Sequence, residues 1–265
     1  MGPRYYVGLY VTYFRLGVRM LAQFRADFGI TALSATVREG AMLLFLSAIF
    51  GKITELQGWS FYELVLTFGL GTAVASFAGV FFSFPQSLGY NVRAGHLDVV
   101  LVRPAPALFQ LLGQRCLDFS PVGSLVVGIA IVALALARLE LAFQAWWLLY
   151  LPLVLLSSAL ITFSLNLIVA CLAFRFVETG ALLVLLGYVP EFSSYPLAIY
   201  DRPIRFTMTW ILPYAMGSIL PVGFLLGKEG YTPYGILAPT MGWGFLGLAL
   251  GVWNVAARHY RSTGN

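Results

Sequence analysis

Residues 85–120 read PQSLGYNVRAGHLDVVLVRPAPALFQLLGQRCLDFS, a polar stretch that lies between long apolar runs. It contains three arginines, two aspartates and one of the two histidines of the chain. The 265 residues as a whole are 60% hydrophobic and only 10% charged, whereas soluble proteins have about 25% charged residues. Apolar runs of about 20 residues match the hydrocarbon thickness of a bilayer. The sequence therefore predicts an all-α integral membrane protein with one large polar loop.

Six apolar segments are predicted to cross the membrane. Before them, residues 5–27 alternate apolar side chains with arginines, which is typical of an amphipathic helix in the membrane interface. Residues 1–28 are therefore predicted to form an N-terminal interfacial helix. The predicted transmembrane helices cover residues 29–50, 62–84, 121–137, 146–174, 179–199 and 234–257.

Residues 204–226 are apolar enough to cross the membrane, but Pro213 and Pro221 interrupt the helical hydrogen bonds within them. Backbone that is not helical is tolerated at membrane depth only where protein or a water-filled cavity covers it. Residues 200–230 are therefore predicted to form a re-entrant or broken helical pair that enters from the outer side.

The distribution of arginine and lysine predicts the topology, because these residues are more frequent in cytoplasmic loops. With six spans and both termini in the cytoplasm, ten of them lie inside, five lie outside and Arg38 lies within the first span. A seven-span arrangement would place nine inside and six outside. The count favours six spans, with both termini and residues 85–120 in the cytoplasm.

Catalytic motifs are missing from the sequence. It has no GxxxxGK[ST] phosphate-binding loop, no HExxH metal motif and no GxSxG nucleophile elbow. The two histidines, His96 and His259, both fall outside the predicted spans. We therefore expect the chain neither to be an enzyme by itself nor to need a cofactor or metal of its own.

Ionisable residues at membrane depth are candidates for a transport pathway. Arg38 and Glu39 fall within the first predicted span, and Glu191 falls within the fifth. Neighbouring residues on a helix do not face each other, so Arg38 and Glu39 are expected to pair with other helices rather than with each other. These three residues, together with Pro213 and Pro221, are the predicted pathway or gate residues.

The centre of the polar stretch combines turn signals with an apolar run. Gly95 and Pro104 allow turns, Asp98 is well placed to cap a helix, and Arg103 precedes a proline that favours extended backbone. The pattern predicts a short helix that lies across the cytoplasmic face. The alternative is an ordinary solvated loop.

Three local motifs point to a known family. FRADF at 24–28 is similar to an R-A-N/D-F step into the first span, and GHLD at 95–98 with LVRP at 101–104 is similar to G-x-L-D-x-x-L-x-(R/K)-P in a cytoplasmic loop. The run before the last span has YPLAIY at 195–200, WILP at 210–213 and LP at 220–221. In this order, the motifs resemble the permease subunits of ABC-2 type ATP-binding cassette transporters.

The resemblance implies one transmembrane domain, residues 1–265, that pairs with a second permease on two ATP-binding cassette subunits, which bind ATP and Mg²⁺. Residues 1–28 would be the connecting helix, residues 85–120 would carry the coupling helix, and residues 200–230 would cap the pathway outside. It further implies an exporter of the bacterial cytoplasmic membrane with no nucleic-acid partner. The residues implied in coupling to the ATPase are Arg93, Gly95, His96, Asp98, Arg103 and Pro104.

Two alternatives stay open at the level of sequence. A secondary transporter or channel would act without an ATPase, and Glu191 beside Pro190 is its best candidate for ion coupling. An intramembrane enzyme would need a base that the sequence does not supply. Arg38 and Glu39 also depart from the resemblance, because the first span of the relatives is mostly apolar.

Overall fold

The computed structural model describes residues 8–9, 11–16, 18–19, 25–114, 117–141, 144–176 and 179–260. Regular secondary structure in these ranges is helical, as predicted, apart from one isolated bridge between Leu56 and Trp59. Shorter 3₁₀ turns cover Cys171–Phe174, Leu197–Ile199 and Tyr214–Gly217, and a π turn covers Thr207–Ile211. The α-helices are α1 (Arg25–Phe50), α2 (Phe61–Phe82), α3 (Pro85–Arg93), α4 (His96–Leu101), α5 (Ala107–Gln114), α6 (Val122–Arg138), α7 (Trp147–Ala170), α8 (Gly180–Phe192), α9 (Arg202–Phe206), α10 (Ile219–Leu225) and α11 (Thr232–Arg258).

Six of these helices coincide with the six predicted segments, but their lengths differ. Two shorter apolar helices, α6 and α8, accompany the long ones. Within the described residues, four stretches are long and apolar enough to cross a membrane: Gly29–Phe50, Phe61–Arg93, Trp147–Phe174 and Thr232–Arg258.

Helix α8 corrects the fifth predicted segment, residues 179–199, because it ends at Phe192. Ser193 and Ser194 then form a turn, and Pro196 does not continue the helix. The 13 residues of α8 extend about 20 Å at 1.5 Å per residue, which is less than the roughly 30 Å of a hydrocarbon core. Helix α8 therefore ends part-way along the bundle.

Aromatic contacts show which loops share an end of the bundle. Phe84 after α2 and Phe174 after α7 both pack on Trp253 near the end of α11, with ring centroids 6.3 and 5.5 Å away. Trp59 before α2 packs on Tyr231 before α11, with centroids 5.7 Å apart. The polar stretch and the end of α11 therefore lie at one end, and the α1–α2 and α10–α11 loops lie at the other.

The predicted interfacial helix, residues 1–28, lies partly outside the described residues. Residues 11–16 are helical, and Tyr13 stands so close to Gly113 of α5 that a side chain on this glycine would collide with the tyrosine ring. The described part of the N-terminal segment therefore lies against the polar stretch, at the same end of the bundle as the end of α11.

A proline within α11 leaves a gap in the backbone hydrogen bonds of that helix, and α7 fills it. Pro239 has no N–H, so the carbonyl of Gly235, four residues earlier, loses its helical donor. The hydroxyl of Tyr150 in α7 donates to this carbonyl oxygen at 2.9 Å. A buried carbonyl without a donor would cost about 1–3 kcal/mol, so this contact stabilises α11 in one position against α7.

Two turns further along both helices, Ser157 of α7 enters the backbone of α11. Its hydroxyl donates to the carbonyl of Ala238 at 2.6 Å and accepts from the N–H of Gly242 at 2.9 Å. An uninterrupted helix would join these two backbone groups to each other. The close approach requires glycine, because a Cβ at Gly242 would collide with the backbone of Ser157.

Residues 200–230 form short helical pieces rather than one helix, as predicted, but the helix is not interrupted at Pro221. Pro213 precedes the 3₁₀ turn at 214–217, whereas Pro221 lies in the first turn of α10, where a missing N–H breaks no helical hydrogen bond. The two pieces separate at Ser218, whose φ and ψ are −142° and −92°. Residues 213–223 are buried throughout, so protein covers this non-helical backbone.

We expect Gly242→Ala to destabilise the protein, because the added methyl group would collide with backbone atoms of Ser157. Overpacking of a tight contact costs about 1–3 kcal/mol. The melting temperature in detergent, measured by size-exclusion chromatography after heating, should fall by several degrees. Gly247→Ala is the matched control, because nothing lies within 4 Å of a Cβ at that position of the same helix. Equal melting temperatures of the two variants would contradict this contact.

Candidate functional site

The polar stretch folds into the three short helices α3, α4 and α5 rather than into a solvated loop. Their inner faces form one apolar cluster with Leu167 of α7 and Trp253 of α11. This burial fixes the three helices on the end of the bundle. Five of their apolar side chains are less than 5% exposed: Leu88, Val92, Leu97, Val100 and Leu111.

Gly95 makes the sharp turn between α3 and α4. Its φ of 70° lies in the left-handed region that favours glycine. Gly95 also occupies the N-cap position of α4, so the prediction that Asp98 caps a helix is wrong. Asp98 lies three residues later, in the first turn, where its carboxylate is still favoured by the positive end of the helix dipole.

The outer side of α3, α4 and the following residues 102–104 is a mixed charged and apolar surface, which we name the loop surface. Four of the six predicted coupling residues are exposed on it, and Gly95 and Asp98 are half-buried. The aromatic rings of Tyr90 and His96 are in contact, with centroids 5.8 Å apart. The exposed predicted residues are Arg93, His96, Arg103 and Pro104.

Apolar side chains of the loop surface were not among the predicted coupling residues. Val102 is 84% exposed and Val99 is 52% exposed, and Tyr90 is exposed beside them. The apolar run at 99–102 could have indicated these residues, but the sequence alone does not show which of them face inwards. The loop surface therefore combines exposed apolar or aromatic residues with basic or titratable ones: Tyr90, Val99, Leu101, Val102 and Pro104 with Arg93, His96 and Arg103.

A cavity of about 570 Å³ lies between α1, α2 and α8, and we name it the lateral cavity. Three of the five predicted pathway residues, Arg38, Glu39 and Glu191, line it. Pro213 and Pro221 do not line it and are buried in the broken segment. The other lining residues include apolar and hydroxyl side chains: Met42, Phe45, Phe68, Thr72, Ser76 and Ser194.

Arg38 and Glu39 pair with each other, which corrects the prediction that they pair only with other helices. The guanidinium Nη2 of Arg38 lies 2.7 Å from Oε1 of Glu39. The long arginine side chain can fold back along the helix, which the simple rule on neighbouring residues neglects. Other helices support the pair, since Nη2 also reaches Oγ of Ser124 at 3.4 Å and Thr72 lies 3.4 Å from the second carboxylate oxygen.

The two members of this pair differ in exposure. The side chain of Glu39 is 6% exposed, and that of Arg38 is 71% exposed. Glu39 is thus a buried carboxylate whose charge is compensated by Arg38, while the arginine opens towards the side of the bundle.

Glu191 lies one residue before the end of α8 and is exposed to the lateral cavity. Among the described residues it has no ion-pair partner within 4 Å. Because α8 ends part-way along the bundle, Glu191 shares the cavity with Glu39 and Thr72 from the middle of α1 and α2.

Hydrogen bonds join the end of α8 to the broken segment. The hydroxyl of Ser218 donates to the carbonyl of Ser193 at 2.7 Å, and the two hydroxyl oxygens lie 3.0 Å apart. Gly71 of α2 lies against Ser194 and Ser218. The residues after α8 are therefore held between the cavity and residues 213–223.

The lateral cavity presents three ionisable side chains, Arg38, Glu39 and Glu191. In the described part of the chain, no group of three or more His, Cys, Asp or Glu side chains could hold a metal ion. The ionisable groups of the lateral cavity are one compensated pair and one carboxylate, which can bind a charged solute.

Comparison with known proteins identifies the family. The family model described as "ABC-2 family transporter protein" matches residues 36–264, which include the lateral cavity and the loop surface. No curated protein and no solved structure matches the chain. Since the family match covers most of its length, this multi-pass membrane protein belongs to the ABC-2 family of transporter proteins.

Proposed function

We propose that the chain is the transmembrane permease subunit of an ATP-driven exporter and that a separate ATP-binding cassette subunit, with its ATP and Mg²⁺, powers alternating access. The observation that carries this proposal is the family match, which extends over the loop surface. The sequence supports the need for a separate ATPase because it lacks a phosphate-binding loop. The chain itself is not an enzyme in this scheme.

The loop surface is the proposed coupling site. It offers exposed apolar groups, Val99 and Val102, next to the exposed cations Arg93 and Arg103. Protein interfaces typically combine an apolar centre with charged residues at the rim. Because the helices beneath it are packed into the bundle through Leu97 and other buried residues, a movement of the ATPase would be transmitted to α7 and α11.

We further propose six spans in the bacterial cytoplasmic membrane, with the loop surface and both termini in the cytoplasm and an interfacial helix at residues 1–28. The excess of arginine at this end supports the orientation. Helices α6 and α8 would be the two further spans beside the four long ones. Residues 200–230 would complete the crossing of the membrane after α8 and cap the pathway on the outer side.

The exposure of Arg38 supports a dimer with a second permease. In a single chain its guanidinium opens sideways near the middle of α1, where hydrocarbon would surround it. A charge at that depth is costly unless protein or water covers it. The exposed apolar side chain of Phe45, seven residues later on the same face of α1, would be part of the contact. The second permease is either another copy or a related chain.

The coupling role is tested by variants of the loop surface. We expect Val102→Asp to reduce ATPase binding and transport-stimulated ATP hydrolysis at least tenfold, because it would bury a charge at the apolar centre of the interface. Arg103→Ala should reduce both by a smaller factor, because it removes a cation at the rim. Asp98→Asn should have a smaller effect, since Asp98 is half-buried. The measurement is co-purification and hydrolysis in proteoliposomes with the ATPase from the same membrane.

Arg202→Ala is the control for this experiment, because Arg202 is exposed at the opposite end of the bundle. Unchanged coupling in correctly folded Val102→Asp and Arg103→Ala proteins would refute the coupling site. Transport driven by an ion gradient in liposomes that contain no ATPase would favour the secondary transporter, for which Glu191 in the lateral cavity is the supporting observation.

The dimer is tested by cysteine cross-linking in a background in which Cys116 and Cys171 are replaced by alanine. We expect Phe45→Cys to form an oxidative cross-link with a second permease, because Phe45 lies two turns after Arg38 on the same face of α1. Ile236→Cys on α11 should not, although the two residues are 56% and 67% exposed. Cross-linking at both positions, or at Ile236 alone, would contradict the proposed interface.

A further inference from the structure

The lateral cavity is asymmetric in charge. Three ionisable residues line it, and two of them, Arg38 and Glu39, compensate each other at 2.7 Å. Glu191 has no such partner among the described residues. The cavity therefore carries one uncompensated negative charge at the end of α8.

The backbone adds to this negative potential. Helix α8 runs from Gly180 to Phe192, and Pro190 and Glu191 from its last turn line the cavity. The carbonyl end of a helix carries a partial negative charge and favours cations. The last carbonyls of α8 accept hydrogen bonds from Ser193, Ser194 and Tyr200, so their contribution is smaller than that of the Glu191 carboxylate. Since α8 ends part-way along the bundle, this end lies beside the cavity rather than in solvent.

The remaining lining fits a solute that is apolar apart from its charge. Phe45 and Phe68 offer aromatic rings and Met42 a polarisable thioether. Thr72, Ser76 and Ser194 supply a few hydroxyl groups. The volume of about 570 Å³ lies within the roughly 300–1,000 Å³ of cavities that bind small molecules.

We propose that the lateral cavity binds amphipathic organic cations, with Glu191 as the residue that selects their charge, and that these are the class of substrate moved by the permease. The assignment of these cations as substrates rests on the proposed transport function, whereas the binding site itself does not. Anionic lipids and anionic glycans are thereby disfavoured, because the one exposed cation of the cavity, Arg38, already pairs with Glu39.

The test uses two probes of the same shape and opposite charge, tetraphenylphosphonium and tetraphenylborate. The full-length chain is placed in phosphatidylcholine nanodiscs, and binding beyond that of protein-free nanodiscs is measured by equilibrium dialysis. The binding of each probe is compared only between protein variants, because partitioning of the probe into lipid is then the same in every sample. We expect Glu191→Gln to weaken tetraphenylphosphonium binding about tenfold, since it removes the one uncompensated charge.

Two further substitutions separate charge selection from damage to the fold. Glu191→Asp keeps the charge and should retain most of the affinity for tetraphenylphosphonium. Glu191→Lys should lose that affinity and gain affinity for tetraphenylborate, a gain that misfolding cannot produce. Glu55→Gln is the matched control, because Glu55 is an exposed carboxylate in the α1–α2 loop that does not line the cavity.

Unchanged tetraphenylphosphonium binding in Glu191→Gln, or an equal loss of both probes in Glu191→Lys, would overturn the inference. No ATPase is present in this assay, so its outcome is independent of the coupling experiment. If coupling to the ATPase is intact but substitutions of Glu191 do not change probe binding, the proposed cation site and substrate class are wrong and the ATP-driven function is unaffected. If these substitutions change probe binding but the coupling experiment fails, the cation site is supported and the ATP-driven function is wrong.

Discussion

The contact between α7 and α11 is the interaction on which the rest of the fold depends. Pro239 would leave the carbonyl of Gly235 without a donor, and Tyr150 supplies one. Ser157 then joins the backbone groups of Ala238 and Gly242 through its own hydroxyl. In a membrane, where water does not satisfy backbone groups, such bonds must come from the protein. The two helices are therefore fixed to each other at atomic distance, and the clusters at both ends of the bundle form around them.

The same requirement explains the lateral cavity. Helix α8 is too short to cross the bundle, so its last carbonyls and the residues that follow need cover. The hydroxyl of Ser218 provides part of it by donating to the carbonyl of Ser193. The result is a helix end, a carboxylate and an ion pair with one buried member, Glu39, around one space between three helices. A short helix thus places polar groups at a depth that a continuous span would have filled with apolar side chains.

Much of the fold could be predicted because hydrophobic length and helix-breaking residues act locally. The positions of α1, α2, α6, α7 and α11 and the broken backbone between 200 and 230 follow from apolar runs and prolines. Prediction failed where a turn decided the residue at which a helix begins or ends. Residues 193–199 are apolar enough for a span, yet the chain turns there, and Pro221 falls in a first turn where it breaks nothing. Gly95 rather than Asp98 occupies the N-cap position of α4, because the turn between α3 and α4 needs a positive φ there.

The sequence by itself determined that the protein is helical and embedded in the membrane, that one polar stretch interrupts the apolar helices, and that Arg38, Glu39 and Glu191 are unusual at their depth. These properties depend only on composition, spacing and the cost of burying charge. Only the tertiary structure decided that these three residues share one cavity, that Arg38 compensates Glu39, and that Val99 and Val102 face outwards. Residues about 150 positions apart are brought together by helix packing, which depends on side-chain shapes across all of the helices at once.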